Sequence, residues 1–469
     1  MRILTVSAEF SPHAKTGGLG DAVAGLCHAL TEAGHDVRLL TPAYAGRYPE
    51  VATAAVEVQL PQTSTQAAIG DLPALPWVKL LHHEVFQDQQ IYSGNAADAH
   101  RFALLSAAAL SYCQQHKWAP DVIHCHDWHT ALVPGYLRQL VHWDKLFQQT
   151  STLLTIHNAA FQGQCHENWH ALVCKPDPEH DHVNILRHGM SYADAVSTVS
   201  QSYAQEISTH GHEAGLHDLL NQTPALGIIN GIDQLAWSPT TDPHLEHNYE
   251  QRTATSQRAK NKHALTQELG FANADLPLFG AVCRLTEQKG IDLIVDQLPH
   301  LLHELRANCV IIGSGIEDYE TQLRRLADEH KEQMHFFCGY NEPLSHRVIA
   351  GSDFLMVPSL FEPCGLTQLY AMNYGTIPIV RNTGGLRDTV APLETDHGTG
   401  IVFDDFDSNA MHWALSQANT LYETPLKMQQ VINRAMQQDF GWQTQAAEYT
   451  ALYRRLCGRD EQPTAQQVA

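Results

Sequence analysis

Two doubly wound α/β domains in tandem are the fold this sequence predicts. Three observations point there. The chain has 469 residues, more than one hydrophobic core fills, and domains of about 200 residues are the natural division. Short apolar runs, such as 151–156 and 354–357, alternate with stretches of helix length, as parallel strands joined by crossover helices do. Several of those runs end in glycines or in a burst of polar residues. In open α/β sheets, ligands bind beyond the carboxyl ends of the strands.

Residues 2–7 form the first expected strand. The loop Lys15-Thr16-Gly17-Gly18-Leu19-Gly20-Asp21 follows, then a helix over 22–33 stopped by Gly34, then a strand over 37–41. The glycines match neither the dinucleotide nor the ATPase fingerprint. They let backbone N–H groups approach a ligand closely, and Lys15 adds charge. Residues 50–100 hold two short alternating strands, 56–60 and 77–81, within polar loop. A helix spans 100–116. The stretch 121–129, DVIHCHDWH, is a strand ending in polar residues. Alternation puts His124 and His126 on one side of it. No further ligand set with zinc-like spacing accompanies them, so no metal is expected. HEAGLH (212–217) has the wrong spacing for a helical ligand pair, and EHDHV (179–183) looks like exposed loop. The strand 151–156 ends at His157-Asn158. Strands over 195–199 and 226–229 complete the first domain, the latter running into Asn230-Gly231.

Residues 238–262, with Pro239, Pro243 and a polar, charged run, are the expected linker and hinge. A second set of strands follows at 278–283, 309–312, 335–338, 354–357, 377–380 and 401–403. The first loop of this half, Arg284-Leu-Thr-Glu-Gln-Lys-Gly290, carries two cations suited to clamping a diphosphate. After the run 354–357, Pro363 and Gly365 break the chain before a helix beginning near Thr367. Glu362 is a lone carboxylate on that loop, placed to hold a sugar, and the helix start offers N–H groups to an anion. Thr383-Gly384-Gly385-Leu386 is another glycine turn. Asp405-Phe-Asp407 has the form of a metal–nucleotide motif but is expected to cap the helix from Ser408. The expected boundaries are 1–240 and 241–440, with a final helix at 441–457 and a disordered tail at 458–469.

The formal charge of −22 argues against a nucleic-acid partner, which wants a basic face, and against an anionic membrane. It is compatible with a neutral polysaccharide and with a small phosphorylated ligand held by local cations. No apolar stretch approaches the ~20 residues that span a bilayer. MRILTVSAEF lacks the apolar core of a signal peptide. Ten scattered cysteines without a CxxC suit reduced thiols in a cytoplasm.

The segments KTGGLGD (15–21), HDWHTAL (126–132), TIHNAAFQG (155–163), NGID (230–233), RLTEQKG (284–290), FEPCGLTQLY (361–370) and NTGGLRDTV (382–390), taken in order, resemble the bacterial glycogen synthases and plant starch synthases. The resemblance runs from Met1 to about Tyr453. It implies the GT-B fold: two Rossmann-like domains facing each other across a cleft, with the C-terminal helix crossing back to the N-terminal domain. It implies retaining transfer of glucose from ADP-glucose to the non-reducing end of an α-1,4-glucan, releasing ADP, with no cofactor and no metal. Carried over by position, Lys15, Gly17 and Gly18 contact the donor diphosphate and sugar. Arg284 and Lys289 clamp phosphate. Tyr340 packs on adenine. Leu366 and Thr367 give backbone contacts to phosphate. Glu362, Cys364 and Gly365 form the donor-sugar loop. His157 stands beside the anomeric centre, and Asp21, Asp127 and Asn230 line the site.

Two departures from the family pattern bear on acceptor binding and turnover. Leu360 stands where the family commonly has Arg, and the 80–100 region is short, with Tyr92-Ser-Gly94 as its acceptor-loop counterpart. Tyr370 occupies the position where related retaining families carry a second Glu. The rival readings are a UDP-glucose-using transferase of the same fold and a weakly active glucan-binding scaffold. A cytoplasmic monomer or weak homo-oligomer is expected.

Overall fold

A computed structural model describes residues 1–88, 90–94, 97–173, 181–209 and 215–459. Cys174, most of the EHDHV and HEAGLH stretches' first residues (179–180 and 212–214), and the expected tail from 460 onward lie outside the described residues.

The chain divides into two compact units, one of residues 1–231 with 442 onward, the other of 232–441. The first division falls before the expected 240. In the first unit the strands are β1 (Arg2–Val6), β2 (Asp36–Pro42), β3 (Thr53–Gln59), β4 (Ser64–Leu72), β5 (Leu75–His82), β6 (Val122–His126), β7 (Ser151–Ile156), β8 (Gln164–Cys165), β9 (Val183–Asn184), β10 (Ala195–Thr198) and β11 (Leu226–Gly227). Nine of them form one sheet in the order β11-β10-β7-β6-β1-β2-β5-β4-β3, and β8 pairs with β9 apart from it. The sheet is parallel except where β4 runs antiparallel to β3 and β5. The stretch expected to be polar loop between 60 and 77 is therefore largely strand. Its Ala and Gly content hides it from propensity, and pairing on both sides supplies the stability.

The core of the sheet is apolar because parallel strands are covered on both faces. Ile3, Leu4, Val6, Leu39, Leu40, Ile123 and Leu154 are fully buried. The helix Trp442–Leu456 belongs here: Trp442, Tyr449, Leu452 and Tyr453 pack with Val23, Leu26, Leu30 and Val37. Gly25 and Gly231 make room for the indole, since a Cβ on either would lie within 3 Å of Trp442.

The second unit holds β12 (Leu278–Val282), β13 (Asn308–Gly313), β14 (Met334–Cys338), β15 (Phe354–Val357), β16 (Ile377–Arg381) and β17 (Ile401–Phe403). They form an all-parallel sheet in the order β14-β13-β12-β15-β16-β17. The order reverses between β12 and β15, so the loops leaving those two strands diverge and frame a crevice.

The expected linker at 238–262 is not one. Residues 254–268 are helix, and 238–253 pack into the second unit. Asp242 is fully buried, where its Oδ2 accepts from Tyr374 Oη at 2.6 Å and lies 2.7 Å from His346 Nδ1. Tyr249 donates to the Tyr374 carbonyl at 2.8 Å. The polar residues that gave the segment a linker's composition have partners far along the chain. The chain passes between units at Gly231–Ile232 and Gly441–Trp442. There Ile232 N donates to Phe440 O at 2.8 Å and Ile232 pairs with Gly441.

Candidate active site

In the second unit the site is a loop held between two glycine turns. The loop Pro358–Leu366 leaves β15. On one side it is zipped to the loop after β12: Leu360 N donates to Gln288 O at 2.9 Å, and Gln288 Nε2 donates to Phe361 O at 3.2 Å. Gly290, at φ +66°, lies against the Pro358 carbonyl, where a Cβ would come within 2.2 Å. On the other side Gly385 N donates to Glu362 O at 2.9 Å, and a Cβ on Gly385 would meet Cys364 O at 2.2 Å. Gln368 Nε2 closes the loop from below, donating to Cys364 O at 3.0 Å and Gly365 O at 2.9 Å. Gly365 takes φ +73°, a conformation that favours glycine.

Glu362 is 6% exposed, and it is not a lone carboxylate. Lys289 Nζ donates to its Oε2 at 2.5 Å and Ser359 Oγ to the same atom at 2.8 Å. The cation expected on phosphate thus sits on the carboxylate expected to hold sugar. Arg284 is exposed, and among the described residues no carboxylate pairs with it. Its guanidinium is a cation available to an anionic ligand. No side chain caps the helix Thr367–Asn373, whose N-cap is Leu366. Tyr340 follows β14 and is 65% exposed, as a surface for a flat ligand would be. Asp407 caps the helix from Ser408, its Oδ1 accepting from Ala410 N at 2.9 Å, so the DxD form is structural.

In the first unit the corresponding groups lie on loops after β1, β6 and β7, on either side of the point where the order of its sheet turns. Gly17 is the N-cap of the helix Gly18–Glu32. Lys15 Nζ is 3.1 Å from Asp21 Oδ1, so Asp21 holds the lysine rather than standing alone. Glu9, 2% exposed, anchors the glycine loop: its Oε2 accepts from Thr16 N at 2.9 Å, and its Oε1 from Thr16 Oγ1 at 2.8 Å and Tyr92 Oη at 2.6 Å. The Tyr92 counterpart of the acceptor loop is therefore tied to the donor-side loop.

Asp127 takes φ +58°, an uncommon conformation for a residue with a side chain. Its Oδ1 accepts from His157 N at 2.6 Å and Asn158 N at 3.3 Å. It positions the histidine's backbone. Burial raises its pKa to about 7, against those two backbone donors.

The histidines of β6 and the one after β7 form a hydrogen-bonded set, not a metal site. His124 Nδ1 is 2.8 Å from Tyr453 Oη and its Nε2 is 2.6 Å from Thr155 Oγ1, so neither ring nitrogen is left for a cation. His126 Nδ1 lies 3.0 Å from His157 Nε2. His126 Nε2 is buried with no partner. An orphaned buried N–H is rarer than an unused lone pair. The His126 proton therefore sits on Nδ1 and is donated to His157 Nε2, which leaves the His157 proton on Nδ1. Burial lowers the His157 pKa to about 3, so the ring is neutral. Imidazole ¹⁵N shifts should report a neutral Nδ1–H His157 from about pH 8 to about pH 5. A titration near the ordinary histidine pKa would show that the ring is not held this way. Asn230 is buried at the end of the first unit.

The structure thus pairs Lys289 with Glu362, Lys15 with Asp21, and Asp127 with His157. It adds Glu9, Ser359 and Gln368, which the motifs do not single out, and gives His126 a partner in His157. A glutamate at the carboxyl end of β1 was a visible signal. Ser359 and Gln368 act within the Glu362 loop, three and four positions from their partners, whereas the partner of His126 is 31 positions away.

Residues 2–222 match the family model described as starch synthase catalytic domain, and residues 267–435 match glycosyl transferases group 1. The chain is similar to the glycogen synthase of Aeromonas salmonicida, at 36% identity over 98% of this chain and 99% of that one. It is similar to the glycogen synthase of Rhodospirillum rubrum, at 38% identity over 98% and 99%. Among solved structures it resembles the catalytic domain of starch synthase IV from Arabidopsis thaliana bound to ADP and acarbose. The TM-score is 0.86 at 33% identity, covering 98% of this chain and 99% of that one.

Proposed function

Because this chain belongs to the glycogen synthase and starch synthase family of GT-B glycosyltransferases, we propose that it transfers glucose from ADP-glucose to the non-reducing end of an α-1,4-glucan, with retention and release of ADP. The observation that carries the donor half of this reading is the Glu362 loop held between two glycine turns, with Lys289 on its carboxylate and, among the described residues, no carboxylate paired with Arg284 on the loop after β12. The Arabidopsis relative is named as bound to ADP and acarbose, which supports a nucleotide and a glucan-like chain as ligands here.

ADP is a good leaving group, so the reaction needs little acid catalysis. It needs charge stabilisation as the C1–O bond to phosphate breaks. Arg284 and Lys289, preorganised in the second unit, are assigned that role without a metal or other cofactor. The helix start at Gly18, which no side chain caps, offers N–H groups to the donor, the Gly17 N–H being taken by Glu9 Oε2 at 3.4 Å, and Lys15 adds a cation. A retaining hydrolase would use a second carboxylate as its acid/base partner, and Tyr370 occupies the position where related families carry one. Glu362 is a poor nucleophile, because Lys289 and Ser359 both hold its Oε2. We therefore favour front-face substitution. The bond from C1 to the acceptor O4 forms on the face the phosphate leaves, and the acceptor proton passes to a departing phosphate oxygen. His157, neutral and donating through Nδ1, hydrogen-bonds the donor sugar. Trapping of a glucosyl ester on Glu362 would overturn this assignment.

The test is incorporation of labelled glucose into glycogen from ADP-glucose and UDP-glucose side by side. Incorporation from ADP-glucose is expected to dominate, with Lys15→Gln raising KM for the donor and Glu362→Ala abolishing most of kcat. Dominance of UDP-glucose would favour the rival donor, and no incorporation by wild type the scaffold reading. No helix among the described residues is long and apolar enough to cross a membrane. The described cysteines are free thiols, as a reducing compartment leaves them. A cytoplasmic monomer or weak homo-oligomer is the corresponding assignment.

A further inference from the structure

The hairpin of β8 and β9 gathers a set of ligating side chains that the transfer reaction does not use. The two strands pair antiparallel, with Gln164 opposite Asn184 and Cys165 opposite Val183. The next residues outward are His166 and His182, and their rings stack at 4.8 Å with 25° between planes. Asp181 Oδ1 lies 2.7 Å from His182 Nδ1. One ligating atom from each of His166, Asp181 and His182 falls within 4.8 Å of the others. The two histidines therefore face each other just beyond the paired strands, and the carboxylate is adjacent to one of them.

The base that carries them is well fixed. Cys165 and Val183 are buried. Leu186 N donates to Gln162 O at 3.0 Å and Ile185 N to Gly163 O at 3.3 Å. Asn184 caps the following helix, its Oδ1 accepting from Arg187 N at 3.0 Å. By contrast the pairing between β8 and β9 is only two residues long. Two-stranded ribbons are marginal without further support. A cation bridging facing imidazoles would supply it.

We propose that His166, Asp181 and His182 bind a divalent transition cation of the zinc class, which ties β8 to β9 at a place separate from the sugar-transfer groups. The donor chemistry selects the class. Two imidazoles and one carboxylate suit zinc, nickel or copper, whereas calcium and magnesium want sets of oxygens. Water fills the remaining coordination positions, since the side chains are at the surface. The EHDHV stretch, expected to be simple exposed loop, contributes two of the three ligands. The third comes from the other strand, and only the hairpin register brings it there.

The test uses the full chain, stripped with chelator and titrated with zinc by calorimetry. Wild type, His166→Ala, His182→Gln and His303→Ala are compared. His303 is an exposed histidine stacked edge-on against His330, and it controls for scattered surface binding. Wild type is expected to show one site of about micromolar affinity. His166→Ala and His182→Gln should each weaken it by about tenfold or more, with His303→Ala unchanged. Hydrogen exchange at the Cys165 and Val183 amides, which face each other across the ladder, should slow on adding zinc to wild type and not to His182→Gln. Glucosyl transfer by the metal-free variants should match metal-free wild type. Equal zinc affinity in wild type and both variants, or no wild-type site tighter than millimolar, would overturn the proposal. So would unchanged exchange in wild type at saturating zinc.

Discussion

Replacing Lys289 with alanine is expected to lower kcat for glucosyl transfer by about 10²- to 10³-fold, the loss typical of one preorganised donor at developing charge. Stability should fall as well. Lys289 and Glu362 are 18% and 8% exposed at their side chains, so the substitution leaves a carboxylate buried with Ser359 as its remaining side-chain donor. Removing one partner of such a pair costs about 3 kcal/mol or more. The double variant Lys289→Met with Glu362→Gln separates the two effects. With no buried charge left, its unfolding free energy should return to within about 1 kcal/mol of wild type, while activity stays lost. Urea denaturation beside single-turnover assays measures both. Near-normal kcat in Lys289→Ala would remove the lysine from the mechanism.

Gly385→Ala should be among the most damaging single methyl groups in the second unit. A Cβ there would sit 2.2 Å from Cys364 O and 2.4 Å from Cys364 Cα. Both are backbone atoms, so relief requires the Glu362 loop to move. Overpacking of this kind costs about 1–3 kcal/mol. A displacement of about 1 Å at a positioned group costs about 10²-fold in rate. The contrast is Gly17, where a Cβ meets nothing within 4 Å. Gly17→Ala should leave the denaturation midpoint unchanged and act on donor KM alone. Comparable loss of stability in both variants would show that the glycine loops are not distinguished by these contacts.

Much of the architecture is written in local pattern. β7, β15 and β17 begin and end where expected, because a strand buried on both faces is mostly apolar and its few polar side chains must find partners. Polar groups at strand ends gave the site loops for the same reason. What local pattern does not carry is partnership. Glu362 looked solitary because Lys289 is 73 positions away, and Asp242 looked like linker because His346 is 104 positions away. β4 was missed because small residues fill STQAAIGDL, and its stability comes from neighbours on both sides. His126 was weighed as a metal ligand, whereas its ring serves His157.

The division of the first unit between both ends of the chain has a consequence for biosynthesis. Residues 1–231 are made before the second unit, yet the core around Leu26, Leu30 and Val37 lacks Trp442, Tyr449 and Tyr453 until the second unit has been made. At ordinary elongation rates that wait is about 10–40 s. The second unit is contiguous, and it can close while the first still exposes an apolar face. The order of completion thus inverts the order of synthesis. A nascent chain stalled before Trp442 would present that face as a mark of an unfinished product.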